Sequence, residues 1–421
     1  MPILKTVVMK LVKKINLGLA ILFLILGFFV LTKIFWLGTP AFSTADENYY
    51  LEAALQYQKG NYSVNLEHPP LGKLLILAGI DLWGNNPVGW RVPSLVFGTL
   101  GIFLVFLLTK VIFKNQRLAI WAAILLSLDF LWFIHSRTAM LDIFVSTFIL
   151  ATTIFLWQYL QKPSTKRAVI LGIFLGLTIA VKWVGLFLVG LIVIFSACQS
   201  IFNLQAKFRP KDLIFIFLAA TLFYLLPYLF FWQDLSLTKF FLIQIKMARI
   251  HLGGLWPTQT NAQAAWSWFL PGRSTIYSFV GGEKVTAIIG LGHPLIFWLW
   301  PVVFLALAKE TLANLPHKKQ LGLFFVLAFF SALFFPWLVS LRPTFLFYVL
   351  PTVPFVCLGI AYLLEKIWEQ GKWGKIVVTF YLLAVFGLFL LYLPLLSGQP
   401  ISWQHFRVLN HFLGLSLPTG R

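Results

Sequence analysis

The sequence predicts an all-α, polytopic membrane protein, and three observations carry that prediction. Of the 421 residues, 60% are hydrophobic and only 11% are charged, whereas soluble domains carry roughly 25% charged residues. The mean hydropathy is +0.87, and long apolar runs recur along the whole chain. The net charge of +20 would suggest a nucleic-acid partner in a soluble protein. Loops beside a membrane collect Lys and Arg for a different reason, so an ordinary cytosolic enzyme and a nucleic-acid partner are both excluded.

The apolar runs predict about eleven spans, since a bilayer-crossing helix needs roughly 20 apolar residues. The first run exceeds the roughly 7–15 apolar residues of a signal peptide, so we predict an uncleaved anchor. The run that ends before Lys182 is the least secure, because it is short. The predicted spans are 15–36, 92–113, 118–135, 139–160, 168–181, 184–204, 213–232, 286–308, 321–340, 345–364 and 376–396.

The Lys and Arg residues predict how the chain is oriented, because inner loops are enriched in them. Most of the 33 Lys and Arg fall on the inner side if the N-terminus is cytoplasmic, and most acids fall on the outer side. We therefore predict a multi-pass membrane protein with a cytoplasmic N-terminus. The sequence shows no internal repeat and no soluble domain, so residues 1–421 are predicted to form a single transmembrane domain. Its two long outer loops are 37–91 and 233–285.

The first outer loop, 37–91, concentrates acidic residues where the chain leaves the lipid. Asp46 and Glu47 follow the first span closely. The segment 48–59 has helical spacing with Tyr49, Ala53 and Tyr57 on one side, which predicts an amphipathic helix along the membrane interface. A plain interfacial anchor explains this segment equally well.

A proline pair follows in the same loop, in the sequence Glu67-His68-Pro69-Pro70-Leu71-Gly72-Lys73. The prolines restrict the backbone, so His68 is predicted to be held before a helix that starts near Leu71. His68 and Lys73 could both face an anion at the outer surface. The alternative is a loop that only caps the helix.

Four cations are predicted at the same outer face, each from a different turn: Arg91, Arg137, Lys182 and Arg342. Ionisable groups at this depth are expensive and are usually paired or functional. Snorkelling to the headgroups could explain Arg91, and an ion pair between Arg137 and Asp142 could simply close their turn. Together the four cations suit a lipid phosphate at the interface. A transporter would place its charges near the bilayer midplane.

These residues, taken in order, resemble the protein O-mannosyltransferases. The resemblance rests on DE at Asp46–Glu47, HPPLGK, WRVPSLVFG, SRTAMLD, KW at Lys182, and RPTFLFYVLPTVPF, and it runs from about Ala45 to Ala361. The family belongs to the GT-C class of membrane glycosyltransferases, which use polyprenyl-phosphate sugars. The lipid A aminoarabinose transferases are similar at a greater distance, and there a lysine often takes the place of His68.

The resemblance implies a GT-C core of eleven spans whose active site is extracytoplasmic. Eukaryotic members carry a β-trefoil insert in the second long outer loop, and 233–285 is too short for one, so a prokaryotic-type enzyme in the plasma membrane is implied. The family often shows Tyr-His or Tyr-Tyr near the tenth span, where this chain has Phe347-Tyr348. This departure concerns donor and acceptor details rather than the reaction class.

The expected reaction transfers a mannosyl or related hexosyl group to a Ser or Thr hydroxyl of a secreted or membrane protein, with inversion. Asp46 is the expected general base, and Glu47 is expected to position the acceptor or a metal. The remaining site residues fall into two groups. Donor-phosphate binding is expected of His68, Lys73, Arg91, Arg137, Lys182 and Arg342; substrate positioning is expected of Asp142, Arg249, His251 and Tyr348.

Two alternatives and one cofactor question stay open at this point. The same fold could glycosylate a lipid or glycan, or the chain could transport a lipid-linked sugar without transferring it. Asp46, Glu47 and His68 could supply ligands to a divalent cation, but their spacing is no recognised metal signature. Cations that neutralise phosphate would make such a metal dispensable. The partners expected are the polyprenyl-phosphate-sugar donor, the acceptor protein and the bilayer.

Overall fold

A computed structural model describes residues 17–197, 208–231, 233, 235–253, 262–270, 272–313 and 321–412. The basic N-terminal segment and the end of the predicted span 184–204 lie outside the described residues. The described chain is mainly helical, as the sequence predicts.

In its described residues, the first half of the chain is a series of helices, four of which start at a side-chain N-cap. Asn86, for example, accepts hydrogen bonds from the backbone N–H groups of Val88 and Gly89 and so starts a long helix, as a helix N-cap does. The helices are α1 (Leu17–Ile34), α2 (Glu47–Gln58), α3 (Leu71–Trp83), α4 (Pro87–Phe113), α5 (Gln116–Leu128), α6 (Phe130–His135), α7 (Leu141–Gln161), α8 (Thr165–Val181) and α9 (Leu186–Ala197).

The second half adds further helices and one two-stranded sheet. The helices are α10 (Pro210–Leu225), α11 (Leu237–His251), α12 (Pro294–Phe297), α13 (Trp300–Ala313), α14 (Leu321–Phe334), α15 (Val353–Trp368), α16 (Lys372–Ser397) and α17 (Trp403–Phe412). The strands β1 (Thr275–Val280) and β2 (Thr286–Gly290) pair antiparallel between α11 and α12. Short 3₁₀ segments cover Trp183–Gly185, Leu226–Phe231, Ala265–Ser267, Phe335–Val339 and Leu346–Thr352.

A polytopic membrane architecture is confirmed, although the count of eleven spans is not. Eight helical segments in the described ranges are long and apolar enough to cross a bilayer, and Gln116–Leu128 and Trp183–Ala197 are shorter apolar helices. The segments Leu141–Gln161 and Leu346–Trp368 are the most buried of the eight. They therefore form the centre of the helix bundle.

The predicted span 286–308 is wrong at its start. Residues 286–290 form β2, and the membrane-length helical segment covers Pro294–Ala313 instead. Val285, Thr286, Ile288 and Ile289 are β-branched, which favours a strand, and the hydropathy of this stretch conceals that preference. The hairpin that results brings the second outer loop against the first.

Two further sequence predictions need local correction. The predicted span 118–135 is interrupted at Asp129, whose carboxylate caps α6 by accepting a hydrogen bond from the Trp132 N–H. The predicted helix over 48–59 is present as α2, but its buried face contains Tyr50, Ala53 and Tyr57, while Tyr49 is 60% exposed. Packing of α2 on α3 selects that face, which the spacing alone did not distinguish.

The predicted inner loops meet one another through ion pairs. Arg117, at the start of α5, pairs with Glu365 near the end of α15, and Lys366 pairs with Glu310 at the end of α13. Segments far apart in sequence therefore come together at one end of the bundle. The two predicted outer loops meet at the other end, where Glu47 binds Arg91 at the start of α4 and the Ala45 N–H donates to the Tyr277 carbonyl.

Candidate active site at the outer face

A buried ion pair organises the first outer loop. The guanidinium of Arg91, in α4, binds both carboxylate oxygens of Glu47, with Nε–Oε1 at 2.9 Å and Nη2–Oε2 at 3.0 Å. Its remaining hydrogen bonds go to the carbonyl oxygens of Leu37, Pro40 and Phe42, at 2.9–3.0 Å. Both side chains are buried. Arg91 thus fixes the path of the chain between α1 and α2.

Glu47 has further partners beyond Arg91. Its Oε1 accepts a hydrogen bond from the Ala139 N–H at 2.7 Å, and its Oε2 accepts bonds from the N–H and hydroxyl of Thr44 at 2.8 and 2.9 Å. Both oxygens are occupied and inaccessible, so this geometry argues against a direct role on substrate or metal. Glu47 instead joins the first outer loop to the turn before α7.

Arg137 and Lys73 are committed to backbone carbonyls in the same way. Arg137 donates to the carbonyl of Thr39 at 2.7 Å and to that of Trp36. Lys73 donates to the carbonyls of Asn65 at 2.6 Å and His68 at 2.8 Å. The two side chains are buried. These hydrogen bonds hold the loops in place. The geometry does not support phosphate binding by Lys73, Arg91 or Arg137.

Asp46 lies at the start of α2. It ends the segment between α1 and α2 whose carbonyls bind Arg91 and Arg137. Ala45 has a positive φ of 47°, an uncommon conformation for a residue other than glycine, and its N–H donates to the Tyr277 carbonyl of β1 at 3.2 Å. Asp46 is half-buried, and its side chain makes no capping bond to α2 among the described residues. Its carboxylate is therefore available for other chemistry.

The electrostatic environment of Asp46 suits a base that works near neutrality. Burial raises the pKa of Asp46 to about 6, while the charge of Lys182 lowers that pKa and the charge of Asp142 raises it. Asp46 is thus electrostatically coupled to two residues that line the cavity described next. A general base is most effective when its pKa lies near the working pH.

A cavity of about 360 Å³ has Lys182 and Asp142 in its wall, whereas Asp46 is not among its lining residues. Six of the residues singled out in the sequence line it, and they come from both outer loops and from three turns between helices. Its lining comprises His68, Asp142, Lys182, Trp183, Val184, Leu186, Phe187, His251, Leu252, Pro336, Trp337, Val339, Ser340, Leu341, Arg342, Tyr348 and Pro351.

An ion pair between Lys182 and Asp142 occupies one wall of the cavity. The Lys182 ammonium, just after α8, lies 2.8 and 2.9 Å from the two carboxylate oxygens of Asp142 in the first turn of α7. An ion pair between Arg137 and Asp142 was one expectation for this turn, and it is wrong. The reason is that Arg137 turns toward the carbonyls after α1 and leaves Asp142 to Lys182.

A second wall is aromatic and cationic. The Arg342 guanidinium lies 5.0 Å from the ring centre of Tyr348 and 5.3 Å from that of Trp337, within cation–π range. The Lys182 ammonium lies 5.4 Å from the same Tyr348 ring. Tyr348 therefore stands between the two cations that face the cavity.

Two histidines form the third wall. The rings of His68 and His251 are 5.7 Å apart, and His251 stacks on Trp183 at 5.5 Å. Burial lowers the pKa of His68 and lowers that of His251 to about 4, and the charges of Lys182 and Arg342 act in the same direction. Both rings are neutral at neutral pH, so His68 can offer a hydrogen bond but not the positive charge that was expected.

His68 still has an unused polar atom at the cavity. Its Nδ1 is buried and has no hydrogen-bond partner in the described part of the chain, and the same is true of the Trp337 indole nitrogen. Buried polar groups are normally satisfied. Unpartnered atoms on the lining of a cavity suit a polar ligand.

Sequence reasoning misplaced one site residue and missed others. Arg249 was expected to position substrate, but it lies on an exposed face of α11 and does not line the cavity. Trp337 and Tyr277 were not singled out, although Tyr277 binds His135 through its hydroxyl at 2.7 Å. Tyr277 carried no signal, because the strand that positions it was not predicted.

The arrangement can bind an anion and accept a proton in adjacent places. Lys182 and Arg342 supply positive charge, Asp46 supplies a carboxylate with a raised pKa, and the neutral histidines and aromatic rings supply a wall for an uncharged polar group. In the described ranges, no group of three or more His, Cys, Asp or Glu side chains is placed to hold a metal ion.

Comparisons with known proteins identify a family for this chain. The family model described as dolichyl-phosphate-mannose-protein mannosyltransferase matches residues 20–233. The polyprenol-phosphate-mannose–protein mannosyltransferase of Corynebacterium glutamicum is 26% identical, covering 86% of this chain and 85% of that protein. The protein of the same name from Mycolicibacterium smegmatis is 25% identical, covering 87% and 85%.

Solved structures share the fold. The S. cerevisiae protein O-mannosyltransferase Pmt1-Pmt2 complex bound to the sugar donor superposes with a TM-score of 0.81 at 13% identity, covering 96% of this chain and 93% of that one. ArnT from Cupriavidus metallidurans in the apo state gives a TM-score of 0.62 at 16% identity, covering 90% and 65%. This chain, the Pmt1-Pmt2 complex and ArnT therefore share one fold.

Proposed function

The chain belongs to the dolichyl-phosphate-mannose–protein mannosyltransferase family, as its motifs predict, and from this premise we propose how its cavity works. The protein is a membrane mannosyltransferase that takes a mannosyl group from a polyprenyl-phosphate donor and delivers it to a Ser or Thr hydroxyl of a protein. The observation that carries the proposal is one cavity that both Lys182 and Arg342 line, together with the electrostatic coupling of Asp46 to Lys182 and Asp142 in its wall.

The donor phosphate is assigned to Lys182 and Arg342. Lys182 is held in the cavity by Asp142, and an arriving phosphate can take over part of that interaction. Charge-assisted hydrogen bonds to phosphate are stronger than neutral ones. Arg342 approaches the same space along the faces of Trp337 and Tyr348, so the two cations can bind different oxygens of one phosphate.

The polyprenyl chain leaves the cavity on its lipid side. Leu341 is 86% exposed and Val339 is 78% exposed, and both lie on the cavity lining. Apolar side chains this exposed are expected where they meet lipid rather than water. Leu186 and Leu252 extend this rim, which suits an isoprenoid tail anchored in the bilayer.

The reaction needs one base and one stabilised leaving group. The acceptor oxygen attacks C1 of the mannosyl group, the bond from C1 to the phosphate oxygen breaks, and polyprenyl phosphate departs with the bonding electrons. Asp46 accepts the hydroxyl proton, while Lys182 and Arg342 stabilise the charge on the departing phosphate. A single displacement of this kind inverts the anomeric centre, so a β-linked donor yields an α-linked product.

The site is proposed to face the outside of the plasma membrane. Its residues come from the two loops and the three turns that the charge pattern assigns to the outer side, and the basic loops that meet through Arg117 and Glu365 lie at the other end. Inner loops are enriched in Lys and Arg. This placement gives the enzyme access to polypeptides that have already crossed the membrane.

A direct assay tests the function. Purified protein in detergent receives radiolabelled polyprenyl-phosphate-mannose with a Ser/Thr peptide, and label in the peptide is the expected result. Label that appears instead in an added lipid or glycan supports the alternative acceptor class, which the lower TM-score to ArnT favours less. In vesicles, label that only crosses the bilayer would indicate transport and contradict the proposal.

A further inference from the structure

Helix α11 has a buried face and an exposed face that carries both apolar and basic side chains. Ile243, Met247 and Ile250 are buried against the rest of the protein. The exposed face has apolar side chains that are 49–79% exposed; they are Leu237, Phe241, Leu242 and Ile245. At 100° per residue these four positions fall within one arc of the helix.

Basic side chains border this apolar arc and interrupt it: Lys239 and Lys246 lie at its edge, and Arg249 lies between Ile245 and Leu242. Lys239, Lys246 and Arg249 are all exposed, and the helix from Leu237 to His251 contains no acidic residue. Among the described residues, neither Lys246 nor Arg249 takes part in an ion pair. An apolar arc bordered by basic side chains, on a helix in an outer loop, is the pattern of a helix lying in the membrane interface.

We propose that α11 lies in the outer headgroup region and binds anionic phospholipids through Lys246 and Arg249. The exposed apolar arc then enters the acyl boundary while the basic side chains contact lipid phosphates. Charge decides between this occupant and a second copy of the chain. Lys246 and Arg249 take part in no ion pair among the described residues. They would therefore be costly to bury in a protein interface, whereas an anionic membrane surface attracts them.

The same helix forms part of the cavity wall. His251, its last residue, and Leu252 after it both line the cavity. Gln244, two turns earlier, accepts a hydrogen bond from Tyr224 and donates one to Tyr228 at 3.2 Å. Tyr224 also accepts one from the Trp183 indole at 3.3 Å. A lipid-held α11 therefore fixes the wall on which His251 and Trp183 stack. Any effect on sugar transfer rests on the proposed function, but lipid binding itself does not.

The test reads helix position without using catalysis. An I245C variant, in a C198S background that keeps the buried Cys357, carries an environment-sensitive fluorophore and is reconstituted in phosphatidylcholine vesicles with or without phosphatidylglycerol. We expect a blue shift when phosphatidylglycerol is present at low salt, and its reversal at high salt, because screening shortens the range of surface charge.

Charge variants make the test specific. K246Q/R249Q should lower the ratio of membrane-docked to undocked helix about 25-fold in phosphatidylglycerol vesicles. K246R/R249K should retain docking. K284Q/R407Q removes the same charge from exposed outer positions elsewhere and should also retain docking.

Three outcomes would overturn the proposal. An equal blue shift in both vesicle types would mean purely apolar anchoring, and a probe that stays in water in both would mean that α11 does not meet lipid. A shift that follows protein density instead of phosphatidylglycerol content would assign the face to contacts between copies. If docking behaves as expected while peptide labelling is absent, the lipid site stands and only the proposed function fails.

Discussion

Two sets of cations at the outer face look alike in sequence and differ in what surrounds them. Arg91, Arg137 and Lys73 are buried, and their donors go to loop carbonyls and to Glu47. Lys182 and Arg342 face a cavity, where their partners are a carboxylate and aromatic rings. The first set therefore shapes the loop that carries Asp46, and the second set is placed to meet a ligand.

The difference lies in whether a cation's interactions can be exchanged. Carbonyls of a folded loop cannot leave without unfolding that loop, so the bonds of Arg91 and Arg137 are part of the fold. The Asp142 carboxylate is a single partner that a phosphate can replace, and it keeps Lys182 from being buried without a counter-charge, which would be costly. Partners, rather than depth at the membrane face, separate the two roles.

Replacing Asp46 should have the largest effect. It removes the proposed general base, which both sets of cations support. D46N should lower the rate constant of mannosyl transfer by about 10³-fold, because a positioned general base contributes roughly 10²–10⁴-fold. The thermal unfolding midpoint in detergent should stay near that of the parent. E52Q, at an exposed position of α2, is the matched control. Transfer by D46N at a near-parental rate would remove Asp46 from the role of base.

Breaking the buried pair tests the structural set. R91Q should destabilise the protein by about 3–5 kcal/mol, because it leaves the buried Glu47 charge without its partner. Thermal unfolding and yield after detergent extraction measure this loss. R91K should not restore stability fully, since a lysine cannot reproduce two bonds to Glu47 together with three to carbonyls. An R91Q protein that is stable but binds the donor weakly would instead place Arg91 with the ligand-binding set.

Neutralising Lys182 or Arg342 tests the set that faces the cavity. Here donor affinity, rather than stability, should change. K182Q and R342Q should each raise the KM for the polyprenyl-phosphate donor by roughly 10- to 100-fold, as expected when one of two charge-assisted contacts to phosphate is lost. R407Q, exposed on α17, should leave the KM unchanged. The contrary outcome is a low yield of folded K182Q or R342Q whose folded fraction binds the donor with parental affinity. That outcome would show that Lys182 and Arg342 belong with Arg91.

The sequence predicted the membrane class, the family and six of the cavity residues, because hydropathy and ordered motifs are local signals. Which cation binds which carboxylate depended on packing between distant segments. Glu47 and Asp46 are adjacent in sequence, yet only Glu47 points toward Arg91 and the Ala139 N–H. No spacing rule distinguishes them, because the distinction arises from the turn at Ala45 and from contact with β1.

The β1–β2 hairpin shows a second limit of sequence-based prediction, because here the local signal was misleading. Residues 286–290 read as the start of a span because Ile288, Ile289 and Ala287 are apolar, and a hydropathy window does not register that a β-branched run favours a strand. Because the hairpin was not predicted, neither Tyr277 nor its contact to His135 was predicted. Predictions failed where an apolar segment served a soluble-like outer structure rather than the bilayer.

The smallest expected effect is also the most specific to the cavity, because it concerns the pH dependence of transfer. Asp46 must be ionised to accept a proton, so kcat/KM should rise with pH through about 6, the pKa of Asp46. The charge of Lys182 lowers that pKa and the charge of Asp142 raises it. K182Q should therefore move the acidic limb to higher pH, and D142N should move it to lower pH, each by less than roughly one unit. Opposite shifts would follow only if both charges act on the base itself, whereas a general loss of structure would lower the rate at every pH without moving the limb. Shifts in the same direction in both variants would show that the titrating base is not Asp46.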